Sequence, residues 1–213
     1  MREAVAALDH LLIGAPTLES GIAWLEERTG VRATPGGSHP GLGTWNALAS
    51  LGPRQYLEII APDPAQQGIE TFYVPGLRAF PRPRLATWAA QQDRIATAWA
   101  PAPPDFLCEP PREGSRVRPD QTRLAWTLAF PKHREHGVFD GALPFLIEWD
   151  KTSPHPGEST PGGLTLLSLS FEHPNAEALS LSLRAMGIES VASPSSAVCI
   201  RASIKTPRGV ILV

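Results

Sequence analysis

The first sixty residues constrain this chain more than any other stretch. They read as an alternating strand, an amphipathic helix and two further strands, with a histidine in the first strand and a glutamate in the last. Residues 5–13 alternate so that Leu8, His10 and Leu12 share one face while Ala7, Asp9, Leu11 and Ile13 share the other. Pro16-Thr17 ends this strand. Thr17 has the chemistry of an N-cap, Glu19 suits the first helical turn, and Leu18, Ile22 and Leu25 repeat at i, i+4 and i+7. Gly30 is a natural stop, which predicts a helix over 18–29. Gly36-Gly37 then opens a loop carrying His39-Pro40. Residues 43–51 (GTWNALASL) and 55–60 (QYLEII) are strands joined across Gly52-Pro53. A carboxylate in the middle of QYLEII is expensive to bury alone. Glu58 therefore needs a metal, a strand amide, an arginine such as Arg118, or a proton to meet its charge, and the presence of His10, His39 and Asn46 in the same block suggests a small-molecule site.

The remainder echoes this block less completely. Residues 85–91 (LATWAAQ) read as a strand and 93–100 as a short helix capped by Asp93. A proline-rich loop over 101–111 leads to the strands RLAWTLAF (123–130) and LPFLIEWD (143–150). Glu148 sits in the last of these much as Glu58 sits in QYLEII. After a loop over 151–163 come a strand (164–171), a helix from Asn175 to Met186, a strand (197–204), a turn at 206–209 and a closing strand VILV. The expected fold is α+β, a single domain over 1–213 with modules at about 5–62 and 84–150 and an abbreviated third unit at 164–213. Its sheets should be mixed or antiparallel.

Composition narrows the function classes. The 23 prolines argue against a helical bundle, and the net charge of −2 shows no basic face for nucleic acid. No run approaches the ~20 apolar residues that span a bilayer, and the N-terminal apolar run is broken by Asp9 and His10, unlike a signal peptide. A cytoplasmic protein, monomeric or homodimeric, is the expectation. Cys108 and Cys199 lack any metal-ligand spacing and read as reduced, packed thiols. The chain shows no glycine-rich phosphate loop, so no nucleotide cofactor is expected, and it carries neither GxSxG nor HExxH.

LDHLLIG, GGSHPGLGTWNAL, YLEIIAPDP, RPDQTRLAW and LPFLIEWD with the HPG after it resemble the vicinal-oxygen-chelate superfamily, and more narrowly its glyoxalase-like domain branch. TPRGVILV resembles the last hairpin common in the superfamily. The resemblance implies tandem βαβββ modules, each curling a sheet into a cup around a site. In metal-dependent relatives a His on a module's first strand and a Glu on its last hold a divalent cation; His10 and Glu58 match those positions. Glu148 matches the carboxylate of the second module, while Trp88 stands where its other ligand is expected and Leu212-Val213 end the third unit where a Glu is often found. His39 and His155 are the remaining imidazoles near the matched segments.

Two readings follow, and the sequence leaves both open. In one the chain is an enzyme acting near a carbonyl or carboxylate as an isomerase, lyase or dioxygenase. Glu58 or Glu148 moves a proton there, and His10 binds a metal or orients the base. In the other it is a non-catalytic binding or sequestration protein of the resistance type with the same cavity. Asn46, His39, Trp88 and Arg118 are the candidate substrate contacts, Arg118 as a bidentate clamp for a carboxylate. His10, Glu58 and Glu148 are the candidate metal ligands. Three at best suit no metal, or a weakly held Mn²⁺, Fe²⁺, Ni²⁺ or Zn²⁺.

Overall fold

The computed structural model describes residues 7–74, 76–95, 110–117, 121–131 and 139–213. Arg118, Cys108 and most of the helix expected over 93–100 lie outside the described residues. The fold is α+β with mixed sheets, as expected, and most of its regular structure is strand. Contacts divide the chain into two compact units. The first comprises His10–Ala86, Pro156–Leu167 and Ala202–Val213; the second comprises the residues through Asp9, Thr87–His155 and Ser168–Arg201.

In the first unit, β1 (Leu8–Gly14) is followed by helix α1 (Leu18–Thr29) and strands β2 (Thr34–His39), β3 (Thr44–Gly52) and β4 (Gln55–Pro62). The order in the sheet is β2-β3-β4-β1, antiparallel except for the parallel pairing of β4 with β1. This is a βαβββ module. The cap at α1 forms as its sequence implies: Thr17 Oγ1 accepts from Ser20 N, the Ser20 side chain returns a bond to Thr17 N, and Gly30 closes the helix at φ 78°. Gly21 lies against Ile59, where a Cβ would collide, so α1 packs on the sheet face that bears Ile59. The opposite face bears the candidate site.

One expectation fails here. Residues 34–39 (TPGGSH) read as loop, yet they form the edge strand β2. Apolar alternation is absent because the strand is mostly exposed and gains its order from backbone bonds to β3. Residues 156–159 were likewise read as loop and form the one-turn helix α2 (Pro156–Ser159).

The second unit repeats the topology. Strands β5 (Arg84–Gln91), β6 (Arg112–Val117), β7 (Arg123–Ala129) and β8 (Phe145–Trp149) lie in the order β5-β8-β7-β6, with β8 parallel to β5. Strand β6 was not anticipated, since REGSRV has no apolar alternation and it too is an edge. Trp88 is fully buried here, stacked on Phe171 with ring centroids 5.4 Å apart, and its indole N–H donates to Ala142 O at 2.9 Å. The C-terminal elements are β9 (Thr165–His173), α3 (Ala176–Ala185), the two-residue β10 (Ser193–Pro194), β11 (Cys199–Thr206) and β12 (Gly209–Leu212). Strands β11 and β12 form the antiparallel hairpin expected of TPRGVILV. Among the described residues no helix is long and apolar enough to cross a membrane.

Candidate functional site

Register alone assembles the site. In the parallel pair β1/β4, His10 lies opposite Tyr56 and Leu12 opposite Glu58, so His10 and Glu58 share a face one step apart. In β3/β4, Leu48 lies opposite Glu58 and Asn46 opposite Ile60, which puts Asn46 on that face as well. In β2/β3, His39 pairs with Thr44, two residues before Asn46. Four strands thus each deliver polar side chains to one surface.

The side chains meet as a buried chain of contacts. His10 Nε2 lies 3.4 Å from Glu58 Oε2, and Asn46 Nδ2 donates to Glu58 Oε1 at 2.8 Å. The same amide nitrogen is 3.2 Å from His39 Nε2, and His39 Nδ1 is 2.9 Å from Thr44 Oγ1. His10, Glu58 and Asn46 expose only 3%, 6% and 4% of their surface. Aromatic rings brace both imidazoles: Tyr56 stacks on His10 at 4.5 Å, and Tyr73 meets His39 edge-on at 4.9 Å. Leu77 and Phe80 close over Gly14 at one end of this face, and Ser50 Oγ donates to Gly157 O at the other. Burying a carboxylate costs several kcal/mol unless its lone pairs are met, and Glu58 has three nitrogens facing it, the third being His39 Nε2 at 3.9 Å from Oε1.

A second polar set fixes the turn that carries His39. Gln66 Oε1 accepts from Gly41 N, while Gln66 Nε2 donates to His39 O and to Asp63 Oδ2. Ser38 Oγ donates to the same Asp63 oxygen at 2.5 Å, and Ala65 N donates to Oδ1. The Ser38 hydroxyl chiefly holds the Asp63 carboxyl below the usual carboxylate range against the opposing effect of burial, aided by Gln66 and the Ala65 amide. Sequence reasoning missed Asp63, Gln66 and Thr44. The only signal for them was APDP after QYLEII and the run of turn residues between His39 and Thr44.

Among the described residues no three His, Cys, Asp or Glu side chains are placed to hold a metal. Asn46 Nδ2 flanks the 3.9 Å gap between His39 Nε2 and Glu58 Oε1 and contacts both atoms.

Among its described residues the second unit carries no copy of this cluster. Continuing the β5/β8 register by one residue brings Gln92 opposite Glu148, and Gln92 N does bond Ile147 O at 2.9 Å. The position two residues earlier, equivalent to His10, is therefore Ala90. Trp88, which the resemblance puts at the ligand position, lies two residues further back. Ala125 stands where Asn46 stands, and Val117 pairs with Arg123 where His39 pairs with Thr44. Glu148 itself accepts from Ile95 N at 2.9 Å. His155 is buried in the second unit with its Nε2 3.1 Å from Asp9 Oδ2, an oxygen that also accepts from Trp149 Nε1 at 2.9 Å. The structure therefore brings together His10, His39, Asn46 and Glu58 in the first unit and leaves Trp88, Glu148 and His155 in the second.

The sequence profile of the glyoxalase-like domain matches residues 8–187. No curated protein matches the chain in sequence. Among solved structures, a hypothetical protein from Staphylococcus aureus superposes with a TM-score of 0.64 at 13% identity, covering 96% of this chain and 83% of that one. A methylmalonyl-CoA epimerase of Streptomyces coelicolor in complex with 2-nitronate-propionyl-CoA gives 0.44 at 15% identity over 67% of this chain and 96% of that one. A methylmalonyl-CoA epimerase in complex with methylmalonyl-CoA and NH4+ gives 0.46 at 18% identity over 69% and 96%. At these identities the first supports the fold alone, and the weaker two carry no argument.

Proposed function

Starting from the premise that the chain belongs to the glyoxalase-like domain family, we propose that it is a small-molecule enzyme whose Glu58 moves a proton on a carbon beside a carbonyl. The observation that supports this reading is the buried Glu58 carboxylate with His10 Nε2 at 3.4 Å and the Asn46 amide at 2.8 Å. A fold gains little from such a group, since an apolar replacement of similar volume is often neutral or stabilising. In the proposed step the substrate C–H bond breaks, the proton passes to a Glu58 oxygen, and the electron pair is held on the carbonyl as an enolate. The proton then returns to carbon, or to a neighbouring carbon in an isomerisation. His10 orients the carboxylate, and the stacked Tyr56 holds the imidazole ring. No step is assigned to a metal or to Glu148.

The burial of the cluster favours one alternative, a binding protein that uses the same face without chemistry. The two separate in one experiment. Small 2-oxo acids, hydroxyketones and acyl thioesters are incubated with the protein in deuterium oxide, and label entering carbon is followed by proton NMR. The enzyme reading expects exchange in the wild type that falls by about 10²–10⁴-fold in Glu58→Gln, the range of a lost general base. Exchange that is equal in Glu58→Gln overturns it. Ligand-induced stabilisation without exchange in either protein favours the binder.

A further inference from the structure

We infer that His39 is a positioning residue: held as the neutral tautomer protonated at Nδ1, it keeps the Asn46 amide with its nitrogen toward Glu58. This deepens the reading of Glu58 as the proton carrier and rests on it for its functional meaning. The argument itself needs only donor and acceptor counting.

An ionised carboxylate can only accept hydrogen bonds. Glu58 Oε1 must therefore face the Asn46 nitrogen, as it does at 2.8 Å, rather than the amide oxygen. The second hydrogen of that nitrogen is directed to His39 Nε2 at 3.2 Å, which must then be the bare, accepting nitrogen. A neutral imidazole with Nε2 bare carries its proton on Nδ1, and Nδ1 faces Thr44 Oγ1 at 2.9 Å. Thr44 is itself fully buried, as is most of His39, so each member of the chain Thr44–His39–Asn46–Glu58 is set by the next. With the other tautomer, Nε2–H would point at the amide hydrogens. Relieving that conflict turns the amide over and brings its oxygen against Glu58 Oε1. The Thr44 hydroxyl, which can accept or donate, follows the ring, so it is the His39 tautomer that decides whether Glu58 keeps its donor. The Asp63–Gln66 set that clamps the His39 turn keeps the ring within reach of Thr44.

The test is long-range proton–nitrogen NMR on the full ¹⁵N-labelled chain near pH 7, with the His39 signals assigned by their loss in His39→Gln. The expected result is a wild-type His39 protonated at Nδ1. Thr44→Ser should keep that pattern, because either hydroxyl follows the ring. Asn46→Asp, which presents an acceptor to Nε2, should reverse the tautomer. A wild-type His39 protonated at Nε2, or a tautomer untouched by Asn46→Asp, overturns the inference. In the deuterium-exchange assay His39→Leu should slow exchange, and His39→Gln, whose side-chain oxygen can accept from Asn46, should restore part of it. Failure to find exchange in the wild type would count against the proposed function alone, because the tautomer is read without substrate.

Discussion

Replacing Asp9 by Ala gives the most direct measure of what the buried polar network in the second unit contributes. Asp9 is fully buried, and its Oδ2 receives both Trp149 Nε1 at 2.9 Å and His155 Nε2 at 3.1 Å. Asp9→Ala removes the acceptor from the buried His155 N–H and from the half-buried Trp149 indole N–H. A buried donor that loses its acceptor costs about 1–3 kcal/mol and a half-buried one about 1 kcal/mol, so the expected loss is about 2–4 kcal/mol. That is a large share of the ~5–15 kcal/mol that stabilises a typical protein. Asp9→Asn keeps one oxygen at the same place. It should satisfy one donor and lose about half as much. Trp149→Phe removes one donor while His155 still faces the carboxylate, at a cost nearer ~1 kcal/mol. Urea titration followed by far-UV circular dichroism reads these differences as shifts in midpoint at constant slope. A double-mutant cycle on Asp9 and His155 isolates their coupling. A loss below about 1 kcal/mol for Asp9→Ala, or no coupling in the cycle, would refute the claim that these contacts are made in a dry interior.

Two further outcomes are expected. Because the Ser38 hydroxyl holds the Asp63 carboxyl below its ordinary value, Asp63 contributes stability that is complete above its unfolded-state pKa and lost as pH falls through the lower folded value. Ser38→Ala should raise the Asp63 value toward the ordinary range, visible in a carboxyl ¹³C titration, and an unmoved titration would show that the bond is not made. Calorimetric titration with Mn²⁺, Ni²⁺ and Zn²⁺ should show no stoichiometric binding that depends on His10, since no three ligating side chains among the described residues are placed to hold a metal. Near-stoichiometric metal in the wild type, lost in His10→Ala, would be the contrary result.

Much of the first module is legible in local pattern. Alternation in LDHLLI and QYLEII places His10 and Glu58 each on a definite face, and Thr17, Ser20 and Gly30 mark the ends of α1. These signals survive because each depends on residues a few positions apart. Strands β2 and β6 left no such trace. Both are edges, bound by backbone hydrogen bonds to one neighbour, and TPGGSH and REGSRV carry no buried stripe.

The sequence by itself determined that a carboxylate in an apolar strand needed partners, and that His10, His39 and Asn46 lay near it in the chain. Only the tertiary structure decided how they meet. Pairing register is a relation between strands, so no count along one strand could show that Ala90, rather than Trp88, holds the place of His10 in the second module. Nor could it show that His155, 146 residues from Asp9, closes on that carboxylate. The amide of Asn46 illustrates the same limit. Its residue type marks it as a donor and acceptor, but only the positions of Glu58 Oε1 and His39 Nε2 around it decide which end faces which.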